Sequence, residues 1–226
     1  AMPFAFVLSQ VVGDWPMWAG EPSHKAFQVM MGAIDAPVVK WGFATRDRVE
    51  WQFSAVADVD GDGQVEVVVG SWDSTVYCLQ GANGTLEWSY AARGSIYSSP
   101  AVADVDGDGE REVVVGSYDS TVYCLRGSDG ALEWSYASGT VVHTPGALVD
   151  VDGDGKLEFL VSSGTSNTLR CLNAEDGSLA WEINLAEDVH SPFVGDVDGD
   201  GCVEVVVGTL GCDARGHRVC LLYTSP

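Results

Sequence analysis

The chain has 226 residues, 46% of them hydrophobic, with 27 glycines and a formal charge of −22. That length supports one domain with a real core, and the composition suits a turn-rich β protein rather than a disordered chain. The acidic balance argues against nucleic-acid and anionic-membrane partners, which attract basic surface.

Residues 1–12 (AMPFAFVLSQVV) are apolar but short, and they begin without an initiating Met or a basic flank. They read either as the remnant of a secretion signal or as the edge of a longer chain. No stretch approaches the roughly 20 apolar residues that span a bilayer, so no membrane insertion is expected. Residues 1–36 are taken as a lead-in segment and residues 37–226 as one repeat domain.

The repeat is carried by Asp58-Val59-Asp60-Gly61-Asp62-Gly63, which returns from Asp104, Asp150 and Asp196, 46 residues apart each time. A fixed period of this size marks stacked supersecondary units. Three aspartates at alternate positions (Asp58, Asp60, Asp62; Asp104, Asp106, Asp108; Asp150, Asp152, Asp154; Asp196, Asp198, Asp200) turn carboxylates into a tight loop. Calcium takes 6–8 such hard oxygens. The seventh position varies freely through Gln64, Glu110, Lys156 and Cys202, which suits a ligand donated by the backbone carbonyl. The ninth is always a carboxylate: Glu66, Glu112, Glu158 and Glu204. The expected metal loops are therefore 58–66, 104–112, 150–158 and 196–204, with about four Ca²⁺ ions. The plainer reading is an acidic turn, because Asp and Gly favour turns without any ion. The loops are not helical EF-hands, since position twelve is Val69, Val115, Val161 or Val207 and a β-branched run follows. Sixteen of the 33 acidic residues are the three aspartates and the ninth-position glutamate of these four loops. A salt-adapted surface is a competing account of the rest of the charge.

The second repeat predicts four strands. Residues 98–103 enter the loop, and 112–116 form an apolar strand buried on both faces. Residues 121–125 follow, then a turn at Asp129-Gly130 and an alternating strand over 132–136. Four short antiparallel strands in about 40–50 residues correspond to one propeller blade. The fold class is thus all-β, a β-propeller of four-stranded blades. Trp88, Trp134 and Trp181 share one repeat position, with Trp41 in a matching pattern ahead of the first loop. They read as wedges between blades, with a ligand-stacking platform as the alternative. Residues 39–43 look like a lone fourth strand placed to complete the last unit and close the ring.

Cys78, Cys124, Cys171 and Cys220 recur in one strand context and read as small buried hydrophobes; Cys202 and Cys212 are not expected to pair. His143 and His190 precede or enter first strands, as strand-edge residues or as groups facing a shared cleft. No nucleophile–base–orienter set or phosphate-cradling loop stands out, so an enzyme is not the leading expectation.

The DxDGDG loop followed by an apolar strand and Gly-Ser resembles the FG-GAP or VCBS-type repeats of integrin-like propellers. That resemblance implies calcium bound on one propeller face. The Leu-x-Gly-x-x-Gly-x-Leu-x-Trp runs at 79–88 and 125–134, with Asp14-Trp15-Pro16-Met17-Trp18-Ala19-Gly20, resemble pyrroloquinoline-quinone-type propeller repeats. Residues 220–226 look like a translated sequencing adaptor, so the native chain is expected to continue and to carry further blades. These resemblances imply a binding or scaffold module outside the cytoplasm (extracellular, cell-surface or periplasmic) with a protein or glycan ligand. The alternative is the propeller part of an enzyme, either a quinone-dependent dehydrogenase or a polysaccharide-degrading enzyme.

Overall fold

The computed structural model describes residues 4–8, 38–49, 54–163, 165–185, 188–210 and 218–222. Every regular element among them is a strand. The first blade is β3 (Ala55–Ala57), β4 (Glu66–Gly70), β5 (Thr75–Gln80) and β6 (Leu86–Ala91). The second is β7 (Ala101–Ala103), β8 (Glu112–Gly116), β9 (Thr121–Arg126) and β10 (Leu132–Ala137). The third is β11 (Ala147–Val149), β12 (Glu158–Ser162), β13 (Thr168–Asn173) and β14 (Leu179–Asn184). Each forms an antiparallel sheet in simple sequence order. A fourth sheet holds β15 (Asp188–Gly195), β16 (Glu204–Leu210) and β17 (Arg218–Leu222). The innermost strands β3, β7, β11 and β15 adjoin one another in series. This is the blade order of a β-propeller.

The core lies between the sheets. One apolar cluster joins the first and second blades through Val68, Cys78, Val113 and Leu125, among others. Equivalent clusters join the second to the third and the third to the fourth. A strand in the middle of a blade therefore meets a neighbouring sheet on both sides. This is why β4, β8 and β12 are buried at every position and read as unbroken apolar runs. The outer strands β6, β10 and β14 face solvent on one side and alternate. The repeated cysteines Cys78, Cys124 and Cys171 are buried, unpaired thiols, as expected.

Two strand assignments differ from the sequence reading. The first strands of the three complete blades are only three residues long; in the second, Pro100 has no N–H to pair and Ser98 Oγ instead accepts the Gly116 N–H. The strand expected to close the last blade, β2 (Val39–Ala44), pairs instead with β1 (Phe4–Leu8), inside the expected lead-in. A register shift near its start matches the one between the third and fourth strands of each complete blade. The pair thus occupies the outer half of a sheet preceding the first blade. His24, Cys212 and His217 lie outside the described residues.

Candidate metal centres

Antiparallel order places the loop between first and second strands at one end of each blade. The turn between third and fourth strands lies at that same end. Three backbone bonds tie these segments together: Gly81 N to Val65 O, Gly127 N to Arg111 O and Ala174 N to Leu157 O. The four DxDGDG loops therefore share one face.

Each loop is built the same way. The first aspartate accepts two backbone N–H groups: Asp58 Oδ1 from Gly61 at 2.9 Å and Oδ2 from Gly63 at 3.1 Å. The same pair of bonds recurs at Asp104, Asp150 and Asp196. Both loop glycines have positive φ, +78° at Gly61 and +85° at Gly63, a region L side chains rarely enter. The second and third aspartates each accept the N–H two residues on. The seventh residue's backbone thus runs through the loop while the Gln64, Glu110 and Lys156 side chains stay exposed.

The ninth-position glutamates sit beneath the loops, buried although charged residues rarely are. One oxygen of each accepts the N–H of the loop's second residue: Val59, Val105, Val151 or Val197, at 2.8–2.9 Å. Burial pushes the Glu66 and Glu112 carboxyls up to about 7, with nearby acids adding to the effect, and Glu158 moves the same way.

Four carboxylate clusters result, each with ligand oxygens within 4.8 Å of one another. In the first two loops the three aspartates converge; in the last two it is the first two aspartates and the glutamate (Asp150, Asp152, Glu158 and Asp196, Asp198, Glu204). Asp154 and Asp200 lie outside those clusters, as do Glu66 and Glu112 in theirs. All donors are hard oxygens, suited to a hard cation. Glu66 Oε1 is buried with no hydrogen-bond partner among the described residues. Each cluster is thus suited to a metal ion.

Neighbouring loops are also joined. Arg111, at the eighth position of the second loop, donates from Nη1 to Asp58 O of the first at 3.1 Å. The other loops carry Val65, Leu157 and Val203 there. The tryptophans act as wedges between blades. Trp41, Trp88 and Trp134 donate Nε1–H to Gly81, Gly127 and Ala174 carbonyls of the next blade, at 2.9, 2.6 and 2.9 Å.

Sequence reasoning missed a group of rings on the opposite face, where second–third turns and fourth–first connections meet. Trp72 and Tyr118 share one repeat position, and Tyr97 corresponds to His143. That 46-residue spacing was the available signal. Their centroids lie 5.7–5.9 Å apart, linking Trp72, Tyr97, Tyr118 and His143. His143 and His190, predicted as strand-edge groups, come close enough to interact electrostatically; burial lowers the His143 pKa.

A repeat β-propeller with one carboxylate loop per blade is the class that this fold and these loops define. The chain belongs to the FG-GAP-like repeat family, whose model matches residues 58–115, 104–161 and 150–207. No curated protein matches the sequence. Among solved structures it is similar to Bap1, a biofilm matrix protein of V. cholerae, at 23% identity and TM-score 0.63, covering 82% of this chain and 29% of that one. It is similar to BamB from Moraxella catarrhalis at 16% identity and TM-score 0.53, covering 76% and 47%. The computationally designed Ika4 protein shares 18% identity at TM-score 0.54, covering 78% and 96%. The chain spans less than half of BamB and less than a third of Bap1. At these identities the likeness is one of fold. Among the described residues, no helix is long and apolar enough to cross a membrane.

Proposed function

We propose that this chain is a calcium-stabilised propeller module that serves as a binding or scaffold unit outside the cytoplasm. The observation that carries the reading is the set of four carboxylate clusters, one per loop, with a buried glutamate beneath each; one oxygen of Glu66 is tied to Val59 N and the other has no partner among the described residues. A divalent cation in each loop would neutralise carboxylates that otherwise repel, fixing the turn between first and second strands. The ligands would be the three aspartates, the seventh-residue carbonyl and the ninth glutamate of loops 58–66, 104–112, 150–158 and 196–204. Four divalent ions would bring the formal charge of −22 to −14. Weak loop sites of this kind fill where calcium is abundant, which favours an extracellular, cell-surface or periplasmic setting. The 46-residue blades present their loops and turns on two faces, a surface suited to a protein or glycan partner.

The test is a calorimetric Ca²⁺ titration of chelator-stripped protein, with a thermal melt at each end. About four ions should bind, and each site held at 100 times its dissociation constant should add about 2.7 kcal/mol of stability. No heat of binding and an unchanged melt would overturn the reading and leave the loops as plain acidic turns.

A further inference from the structure

Among the described residues, the face away from the metal loops carries a cluster of aromatic rings. Trp72 and Tyr118 meet at 40° between their planes, while Tyr97 packs edge-on to both and to His143. The Arg48 guanidinium lies 3.9 Å over the Trp72 ring. The rings are contributed by successive blades: Trp72 and Tyr118 from the turns between second and third strands, Tyr97 and His143 from the connections that lead into the innermost strands. They are only partly covered, and Tyr118 keeps 39% exposure.

The polar atoms of this patch separate it from the structural wedges. Trp41, Trp88 and Trp134 each spend their N–H on a carbonyl of the next blade. Trp72 Nε1, His143 Nδ1 and His190 Nε2 are buried with no hydrogen-bond partner among the described residues. Buried polar atoms are ordinarily satisfied, so three orphans in one small region point to a missing partner. That partner carries groups that both donate and accept, because an indole N–H only donates and a neutral imidazole does either.

Charge narrows the class. Among the described residues, the turns and connections bearing the rings set Arg46, Arg48 and Arg93 against Asp47, Asp73, Asp119 and Asp188, and Glu50 and Glu187 add to the acids of those connections along the sequence. The four loops of the other face hold seventeen acidic residues, and the whole chain is at −22. A polyanion is repelled by the molecule as a whole, and the arginines among the rings oppose a polycation. What fits is a neutral molecule with apolar C–H faces for the rings and hydroxyls for the orphaned atoms. We propose that Trp72, Tyr97, Tyr118 and His143, flanked by Arg48 and His190, form a binding site for a neutral saccharide. Its C–H faces pack on the tilted Trp72 and Tyr118 rings, and its hydroxyls, or waters they order, reach the indole and imidazole nitrogens. This inference rests on the reading of the chain as a binding module and adds the face and the ligand class.

The experiment is affinity electrophoresis of the calcium-loaded chain through gels containing dextran, laminarin, galactomannan or alginate, with thermal melts of the same samples. Retardation by at least one of the three neutral polysaccharides is expected, and none by alginate. Tyr118→Ala, at an exposed ring, should weaken that retardation about tenfold, the scale of losing one aromatic contact, with the melt unchanged. Trp72→Leu should do the same. Failure in all three neutral gels overturns the site, as does retardation that survives both variants. Preference for alginate overturns the neutral class. Capture of a protein through these rings, with every gel negative, overturns the saccharide assignment. Melts with and without calcium report separately on the metal loops, so the two readings fail independently.

Discussion

The ninth-position glutamates hold the balance between the loop and the core beneath it. Each gives one oxygen to a backbone N–H, and Glu66 and Glu112 have their carboxyls raised to about 7 by burial. An unfolded glutamate titrates near 4.5, so in ion-free protein the neutral form favours the folded state. That contribution is complete below about pH 4.5 and is lost as pH rises through 7. Ion-free protein should therefore melt higher at pH 5 than at pH 8. Bound calcium favours the ionised carboxylates and should reverse the slope. Differential scanning calorimetry across that range checks both directions, and Glu66→Gln with Glu112→Gln should flatten the ion-free slope. A slope unchanged in the double variant would remove these two residues from the account.

At the level of the strand, the repeated tryptophan explains why one blade fixes the next. Trp88 stands on β6, donates to Gly127 O and covers Gly130, where an added Cβ would lie 2.5 Å from the indole. Gly130 also has φ +70°, so the turn needs glycine for its backbone and for its closeness to the ring. Gly84 and Gly177 repeat the arrangement under Trp41 and Trp134. Gly130→Ala should cost about 2–5 kcal/mol, from left-handed strain of about 1–2 and overpacking of about 1–3. Trp88→Phe, which strands a buried carbonyl, should cost about 1–3 kcal/mol. Urea unfolding measures both. A loss below about 0.5 kcal/mol, the scale of ordinary surface changes, in either variant would mean that the wedge is not a principal tie between blades.

Across the whole molecule, charge opposes folding. The formal charge of −22 concentrates on the loop face, and ion-free protein carries it without relief. Salt screens such repulsion over about 10 Å at 0.1 M and about 3 Å at 1 M. Raising NaCl from low to molar concentration should lift the melting point of ion-free protein more than that of calcium-loaded protein. Equal shifts would show that the carboxylate clusters are not the main source of the repulsion. The cores between blades oppose that charge, since each of the three complete blades buries its middle strands on both sides.

The blade plan was legible because repetition averages out local ambiguity: a pattern at Asp58, Asp104, Asp150 and Asp196 constrains every copy at once. The loop carboxylates, the buried second strands, the hairpin turns and the wedge tryptophans all followed from short-range chemistry repeated in register. What repetition cannot supply is the pairing of parts that depart from it. The partner of Val39–Ala44 was misread because a fourth-strand pattern shows which residues face a neighbour but not which strand occupies the adjoining edge. The ring patch escaped notice because its members lie on two different segments of successive blades, and only the packing of sheet against sheet brings Trp72, Tyr97, Tyr118 and His143 together. The sequence by itself determined the blade and its metal-suited loop, since both are set within one 46-residue unit. Tertiary structure alone decided how blades meet, and with it the surface they share, because those contacts join residues of different blades that lie tens of positions apart along the chain.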